Sequence, residues 1–79
     1  IFATMNTMRD ALQARSDSQQ AILELATAQL EGAGLKPDYV AICNARTLQP
    51  ATEEDNELVI LMAAFMGKTR LIDNLHFTR

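Results

Sequence analysis

An unbroken run of nine apolar residues, Leu58 to Met66, constrains the fold of this chain more than any other feature. The run is too short to cross a membrane as a helix, which needs about twenty residues. It contains the β-branched pair Val59-Ile60, and Gly67-Lys68 directly after it suits a hairpin turn. The sequence therefore predicts a strand over Glu57 to Met66 that is buried on both faces. A buried helix is the alternative, since Leu, Met and Ala all permit one.

Two further segments have the pattern of strands that would pair with this run. Asp38 to Asn44 places Tyr39, Ala41 and Cys43 on one face and Val40 and Ile42 on the other. Thr69 to Phe77 would return from the turn, with one face formed by Leu71, Asp73, Leu75 and Phe77 and the other by Arg70, Ile72, Asn74 and His76. We expect an antiparallel sheet with the long apolar run in the middle.

Two amphipathic helices should precede the strands. The first carries Ile1, Met5, Met8 and Leu12 at helical spacing and should end near Arg15. Ser16 followed by Gln19 resembles a capping box, which predicts a second helix from there to about Glu31. Its apolar face would consist of Ile22, Leu23, Leu25, Ala26 and Leu30. The prediction is an α+β domain ordered ααβββ, in which two helices pack on a small three-stranded antiparallel sheet.

Length and composition narrow the range of partners. The 79 residues suffice for one domain, and the net charge of −3 argues against a nucleic-acid partner, which requires a basic surface. The single cysteine, Cys43, cannot form an internal disulfide, and this favours a reducing compartment such as the cytoplasm. The chain begins with Ile1-Phe2 within a helical pattern, so we expect it to be a fragment of a larger protein.

The segment Gly67-Lys68-Thr69 resembles the end of a phosphate-binding loop. The full pattern needs a further glycine where this chain has Met62, and it needs a helix after the threonine. The residues after Thr69 have the pattern of a strand. We therefore interpret Gly67-Lys68 as a hairpin turn and leave an independent nucleotide-binding domain as a remote alternative.

The remaining candidates for chemistry favour structural interpretations. His76 lacks an orienting carboxylate on its strand face, and Cys43 lies in an apolar strand without an activating base. The acidic run of Glu53, Glu54, Asp55 and Glu57 lacks the alternation and the glycine of a calcium loop. We predict no catalytic, substrate-binding or metal-binding residue in this chain. Arg70, Asp73 and Asn74 stay open, either as partners of neighbouring elements or as contacts to a missing domain or ligand.

Two segments, GLKPDYVAICNARTLQP and LVILMAAFMGKTRLIDN, resemble the C-terminal part of the pantothenate synthetases, also called pantoate–β-alanine ligases. The matching positions are Gly34, Leu35, Asp38, Tyr39, Val40, Ala45, Thr47, Leu48, Ala63, Ala64, Gly67, Arg70, Leu71, Ile72, Asp73 and Asn74. The chain departs from the family pattern at Cys43-Asn44, where the family has Arg-Asp, and at Arg46, where it has an acidic residue. Ion pairs of those carboxylates would be absent or rearranged here.

The resemblance implies a two-domain, homodimeric enzyme whose N-terminal Rossmann-like domain is absent from this chain. That domain would bind ATP with Mg²⁺ and pantoate, and contacts between two such domains would hold the homodimer together. Pantoate would be activated as pantoyl-adenylate with release of pyrophosphate, and β-alanine would then displace AMP to give pantothenate. Residues 1–79 would form a lid that closes over the nucleotide cleft, with Lys68 and Arg70 nearer the cleft than the acidic run. Alone, the fragment should be inactive, bind no cofactor and tend to self-associate; the alternative is a small protein-interaction module.

Overall fold

A computed structural model of the chain describes residues 1–15 and 17–79. Its elements are α1 (Phe2–Ala14), α2 (Gln19–Gly32), β1 (Lys36–Asn44), β2 (Glu57–Met66) and β3 (Thr69–Thr78). The three strands form one antiparallel sheet in the order β1-β2-β3. The predicted ααβββ arrangement is confirmed, and so is the central strand, which rules out the helical alternative for the apolar run.

Helix α1 owes its position to its apolar stripe. Met5, Met8 and Leu12 are buried together with Thr4, whereas Ile1 is half-buried. The helix ends where Arg15 adopts a left-handed conformation with φ of 52°, and the Arg15 N–H donates to the Leu12 carbonyl. The predicted end near Arg15 is therefore correct.

Helix α2 begins later than the capping pattern indicated. Its N-cap is Ser18, whose hydroxyl oxygen accepts a hydrogen bond from the Ala21 N–H at 3.1 Å. Gln19 is the first residue of the helix and not the reciprocal capping residue, and Ser16 lies outside the described residues. Leu25, predicted on the apolar face, is 47% exposed, because the buried stripe of α2 is restricted to Ile22, Ala26 and Leu30.

The hairpin between β2 and β3 is tight and regular. Met66 pairs with Thr69, so only Gly67 and Lys68 form the turn. Gly67 has φ of 62°, a left-handed conformation that glycine adopts without steric cost. From this turn the two strands pair without a register shift through to Glu57 and Thr78.

The register divides the sheet into two unlike faces. The covered face carries Ile42 from β1 and Leu58, Ile60 and Met62 from β2, which form one core with the apolar stripes of both helices. The opposite face, called the open face below, carries neither helix in the part of the chain that the structure describes. Its residues are Lys36, Tyr39, Ala41 and Cys43 from β1, Glu57, Val59, Leu61, Ala63 and Phe65 from β2, and Arg70, Ile72, Asn74, His76 and Thr78 from β3.

Candidate functional site

The hairpin end of the open face holds the clearest cluster of polar side chains. The Arg70 guanidinium donates to Asp38 through Nε at 3.0 Å, and a second nitrogen lies 2.8 Å from the same carboxylate oxygen. It also lies 5.8 Å from the centre of the Tyr39 ring, a distance suited to a cation–π contact. This cluster links β1 to β3 across the central strand.

A β-bulge in β1 brings Asp38 to this cluster. Pro37 pairs with Ala64 and Tyr39 with Ala63, so Asp38 is an extra residue without a partner on β2. A bulge of this kind re-aims a side chain and bends its strand. Asp38 can thereby approach Arg70, which lies on the far edge strand. Of the two alternatives left open for Arg70, the structure shows pairing with a neighbouring element. No pattern in the sequence indicated the bulge or Asp38 as the partner.

The two cations predicted to lie near a nucleotide cleft have different surroundings. Arg70 shares its charge with Asp38, and both side chains are about 40% exposed. Lys68 lies in the exposed turn of the hairpin. With Lys36, which pairs with Phe65 at the start of β1, the hairpin end carries three cationic side chains and two carboxylates, those of Asp38 and Glu31. This end is therefore positive in a chain whose net charge is −3.

The phosphate-loop alternative fails on geometry. Thr69 lies in a strand and pairs with Met66, whereas a phosphate loop needs a helix to begin at this point. The turn contains two residues, too few to wrap backbone N–H groups around a phosphate. The interpretation of Gly67-Lys68 as a hairpin turn is confirmed.

The other polar residues of β3 have separate environments. A carboxylate oxygen of Asp73 accepts a hydrogen bond from the Asn74 N–H at 2.8 Å, which is a local contact within the strand. Asp73 belongs to the covered side of the sheet and His76 to the open face, and both are exposed. The structure therefore does not bring Asp73 or His76 to the Arg70 cluster.

The acidic run is held as an ordered loop. One carboxylate oxygen of Asp55 accepts from the Thr52 N–H at 2.9 Å, and the other accepts from the Asn44 amide at 3.0 Å. These bonds lower the pKa of Asp55, the Thr52 backbone N–H contributing most and Asn44 next. Glu53 and Glu54 are exposed. Within residues 1–15 and 17–79, no group of three or more His, Cys, Asp or Glu side chains could hold a metal ion.

Two arginines fasten this loop to the rest of the domain. Arg15 donates to the Glu53 carbonyl at 3.1 Å and to the Asn56 side chain at 3.3 Å. Arg79 donates to the carbonyls of Asp55 at 2.9 Å and Thr52 at 2.7 Å. Burial, followed by the nearby charge of Arg15, lowers the pKa of Arg79. Sequence reasoning missed both arginines, because nothing in their local sequence links them to a distant loop.

A cavity of about 80 Å³ lies beside Arg15 and Arg79. Its lining includes Arg15 and Arg79 together with Asp17 and Glu53, so charges of both signs line it. The cavity is far smaller than the roughly 300–1,000 Å³ typical of small-molecule sites.

Cys43, predicted to lie in an apolar strand without an activating base, is buried with a free thiol. None of the described helices is long and apolar enough to span a bilayer.

Comparisons with known proteins match nearly the whole chain. A family model described as pantoate-beta-alanine ligase matches residues 1–76. The pantothenate synthetase of Stutzerimonas stutzeri (strain A1501) is 51% identical over 75 residues, which cover 95% of this chain and 26% of that protein. Those of Shewanella sediminis (strain HAW-EB3) and Pseudomonas fluorescens (strain Pf0-1) are 50% and 47% identical over 76 residues, which cover 96% of this chain and 27% of each protein. The chain spans about a quarter of the length of these relatives.

Proposed function

This chain belongs to the pantoate-beta-alanine ligase family, and on that premise we propose that it is the C-terminal lid domain of an enzyme that joins pantoate to β-alanine. The enzyme would activate pantoate with ATP as pantoyl-adenylate, and β-alanine would then displace AMP to give pantothenate. We place the enzyme in the cytoplasm, and we expect a homodimer joined through N-terminal domains.

The described residues do not fit ATP or Mg²⁺. The cavity of about 80 Å³ is too small for a nucleotide, and the larger depression of about 490 Å³ beside Lys36 and Gly67 is wide open to solvent. The described part of the chain has no set of acidic or imidazole ligands suited to a metal ion. We assign both to the remainder of the longer protein, and we expect the 79-residue chain alone to form no pantothenate.

The open face of the sheet supports the lid role best. A lid must present a surface to the cleft, and closure excludes water from a reactive acyl-adenylate. The positive hairpin end suits the developing charge of transferring phosphates, so Lys68 and Arg70 are the residues that we propose to lie nearest the cleft. Arg70 would approach it as a held group, since Asp38 and Tyr39 already fix its position.

The test uses the full-length enzyme with Lys68→Ala and Arg70→Ala, singly and combined. We expect the double variant to raise the KM for ATP or to slow pantoate-dependent exchange of pyrophosphate into ATP. Arg46→Ala removes an exposed cation from the loop after β1, at the opposite end of the sheet, and serves as the control. If the double variant matches Arg46→Ala in both measurements, neither residue serves the cleft.

A protein-interaction module without catalytic role is the second candidate, and the uncovered apolar face of the sheet favours it. The sequence encoded upstream of this chain in the same reading frame distinguishes the two candidates. An upstream Rossmann-like domain with a His-x-Gly-His signature supports the ligase, whereas an unrelated upstream sequence supports the module.

A further inference from the structure

We propose that the open face of the sheet is the surface on which this domain sits against the remainder of its own enzyme, with both helices directed away from the contact. The inference rests on the proposed function, since it names the partner of the lid. It adds which of the two sides of the domain makes the contact, and it assigns Ile72, Tyr39 and Phe65 as the central contact residues.

The first observation is the apolar character of the open face. Ile72 is 60% exposed and Tyr39 40% exposed, and Ala41, Leu61 and Phe65 are half-buried between them. On the covered face, by contrast, Leu58, Ile60 and Met62 of β2 are fully buried against the helices, and Met66 at the hairpin end is exposed. A contiguous apolar surface of this kind marks an interaction site.

The second observation is the polar rim at the hairpin end. Asp38, Arg70 and Tyr39 hold one another in place, so little side-chain freedom is left to lose on docking. Tyrosine and arginine are enriched among residues that dominate binding energy, and an apolar centre with a polar rim is the usual anatomy of an interface. Lys36 and Lys68 add positive charge at the same end, which suits an acidic or phosphate-bearing surface opposite.

The partner follows from the length of the relatives. This chain spans only about a quarter of each, so every relative has a large additional polypeptide covalently linked to the matching segment. A covalently linked surface has a high effective concentration, about millimolar for a short flexible linker, and so outcompetes a separate copy of the domain. We therefore assign the contact to the remainder of the same polypeptide and not to a second copy.

The test measures the accessibility of Cys43 in the full-length enzyme. Cys43 is on the open face and 7% exposed, so docking of this face would cover it further. Ile72→Lys places a charge in the proposed contact, and Leu25→Lys places the same charge at an exposed leucine of α2, on the other side of the domain. Thiol labelling of Cys43, resolved by peptide mass spectrometry, is compared among the wild type and both variants.

We expect Ile72→Lys to accelerate labelling of Cys43 about tenfold, because the buried charge should lower the equilibrium constant for docking by a factor of about ten. Leu25→Lys should label like the wild type. Ile72→Ala, which introduces no charge, should show a smaller acceleration of the same sign, and unchanged circular dichroism excludes unfolding as the cause. Equal labelling of Ile72→Lys and Leu25→Lys would overturn the inference, and so would protection of Cys43 that depends on protein concentration, which indicates a second copy.

Pantothenate formation by the same preparations separates the two proposals. An active enzyme in which Ile72→Lys and Leu25→Lys label alike contradicts the docking surface and leaves the ligase function standing. An enzyme that forms no pantothenate, yet labels faster only in Ile72→Lys, contradicts the ligase function and supports the docking surface.

Discussion

The two faces of the sheet share the same three strands, but the helices close only one of them. Ile60 and Met62 on the covered face have no solvent exposure, whereas Ile72 on the open face is 60% exposed. Yet Val59 and Ala63, which also belong to the open face, are buried. Their position in the central strand explains this, because each has a neighbour on both flanking strands: Val59 lies between Cys43 and His76, and Ala63 between Tyr39 and Ile72.

Burial in β2 therefore has two different causes. On one face it results from packing against helices, and on the other from neighbours within the sheet. An apolar run at the centre of a three-stranded sheet does not by itself show that both faces are covered by further elements. The open face is consistent with a surface that acquires its cover from elsewhere.

The largest expected effect compares two isoleucines. Ile60→Ala should lower the free energy of unfolding by about 2–5 kcal/mol, because it leaves a cavity in the core between sheet and helices. Ile72→Ala should cost less than about 1 kcal/mol, because the side chain is already mostly in water. Urea denaturation of the 79-residue chain and its two variants measures both values. Similar losses for the two variants would show that the open face is as well packed as the covered one.

The next effect concerns the helix that covers the sheet. Ser18→Ala removes the acceptor of the Ala21 N–H and should cost about 1 kcal/mol. Such a loss corresponds to a decrease in Tm of roughly 4–8 °C in a domain of this size. Ser18→Asn is the control, since asparagine caps helices about as well as serine. If Ser18→Ala melts at the wild-type temperature, the cap does not stabilise the cover.

A smaller effect tests the ion pair of the open face. The coupling energy between Asp38 and Arg70, from a double-mutant cycle with alanine, should be about 0.2–1 kcal/mol, because both side chains are substantially solvated. It should decrease between about 0.05 M and 1 M NaCl, as screening strengthens. The Arg9–Asp10 pair on α1 at 3.2 Å is the control and should show weaker coupling, since adjacent helical residues do not face each other. A salt-independent coupling would indicate that the Asp38–Arg70 pair is shielded from solvent.

The fold was predictable from the sequence because its strongest periodic signals agreed with its packing. The stripe of α1 and the apolar run of β2 each required one burial pattern, and the two-residue turn required a glycine at positive φ. The sequence pattern was ambiguous where more than one residue could cap the same helix. Ser16 and Ser18 are both acceptable caps by type, and in the structure Ser18 is the cap of α2.

The polar clusters were less predictable, because their partners meet only in three dimensions. Arg70 reaches Asp38 through a bulge that has no signature in the sequence, and Arg15 and Arg79 converge on one loop from separate elements. Leu25 was wrongly placed in the core because helical spacing cannot show how wide a stripe the partner surface will cover.

A pH-dependent effect tests the loop between β1 and β2, through Asn44→Asp. Asn44 accepts from the N–H groups of Arg46 and Thr47 and donates its amide to Asp55. An aspartate would keep both accepted bonds but would replace the amide that donates to Asp55, so the folded chain should lose stability at neutral pH. It would also place two carboxylates in contact, and such a pair raises one of the two pKa values.

The pH dependence should then differ in sign from that of the wild type. In the wild type the pKa of Asp55 is lowered on folding, so its stabilisation is present above the ordinary value of about 3.9 and is lost as the pH falls through the lowered value. In Asn44→Asp the raised pKa means that the folded state gains a proton first, so stability increases as the pH falls from about 6 towards 4. Thermal melts across this range should show the gap in Tm between the variant and the wild type narrowing. Asn44→Ala, which adds no carboxylate, should keep a constant gap above about pH 4; equal slopes for Asn44→Asp and Asn44→Ala would mean that residues 44 and 55 are too far apart to couple.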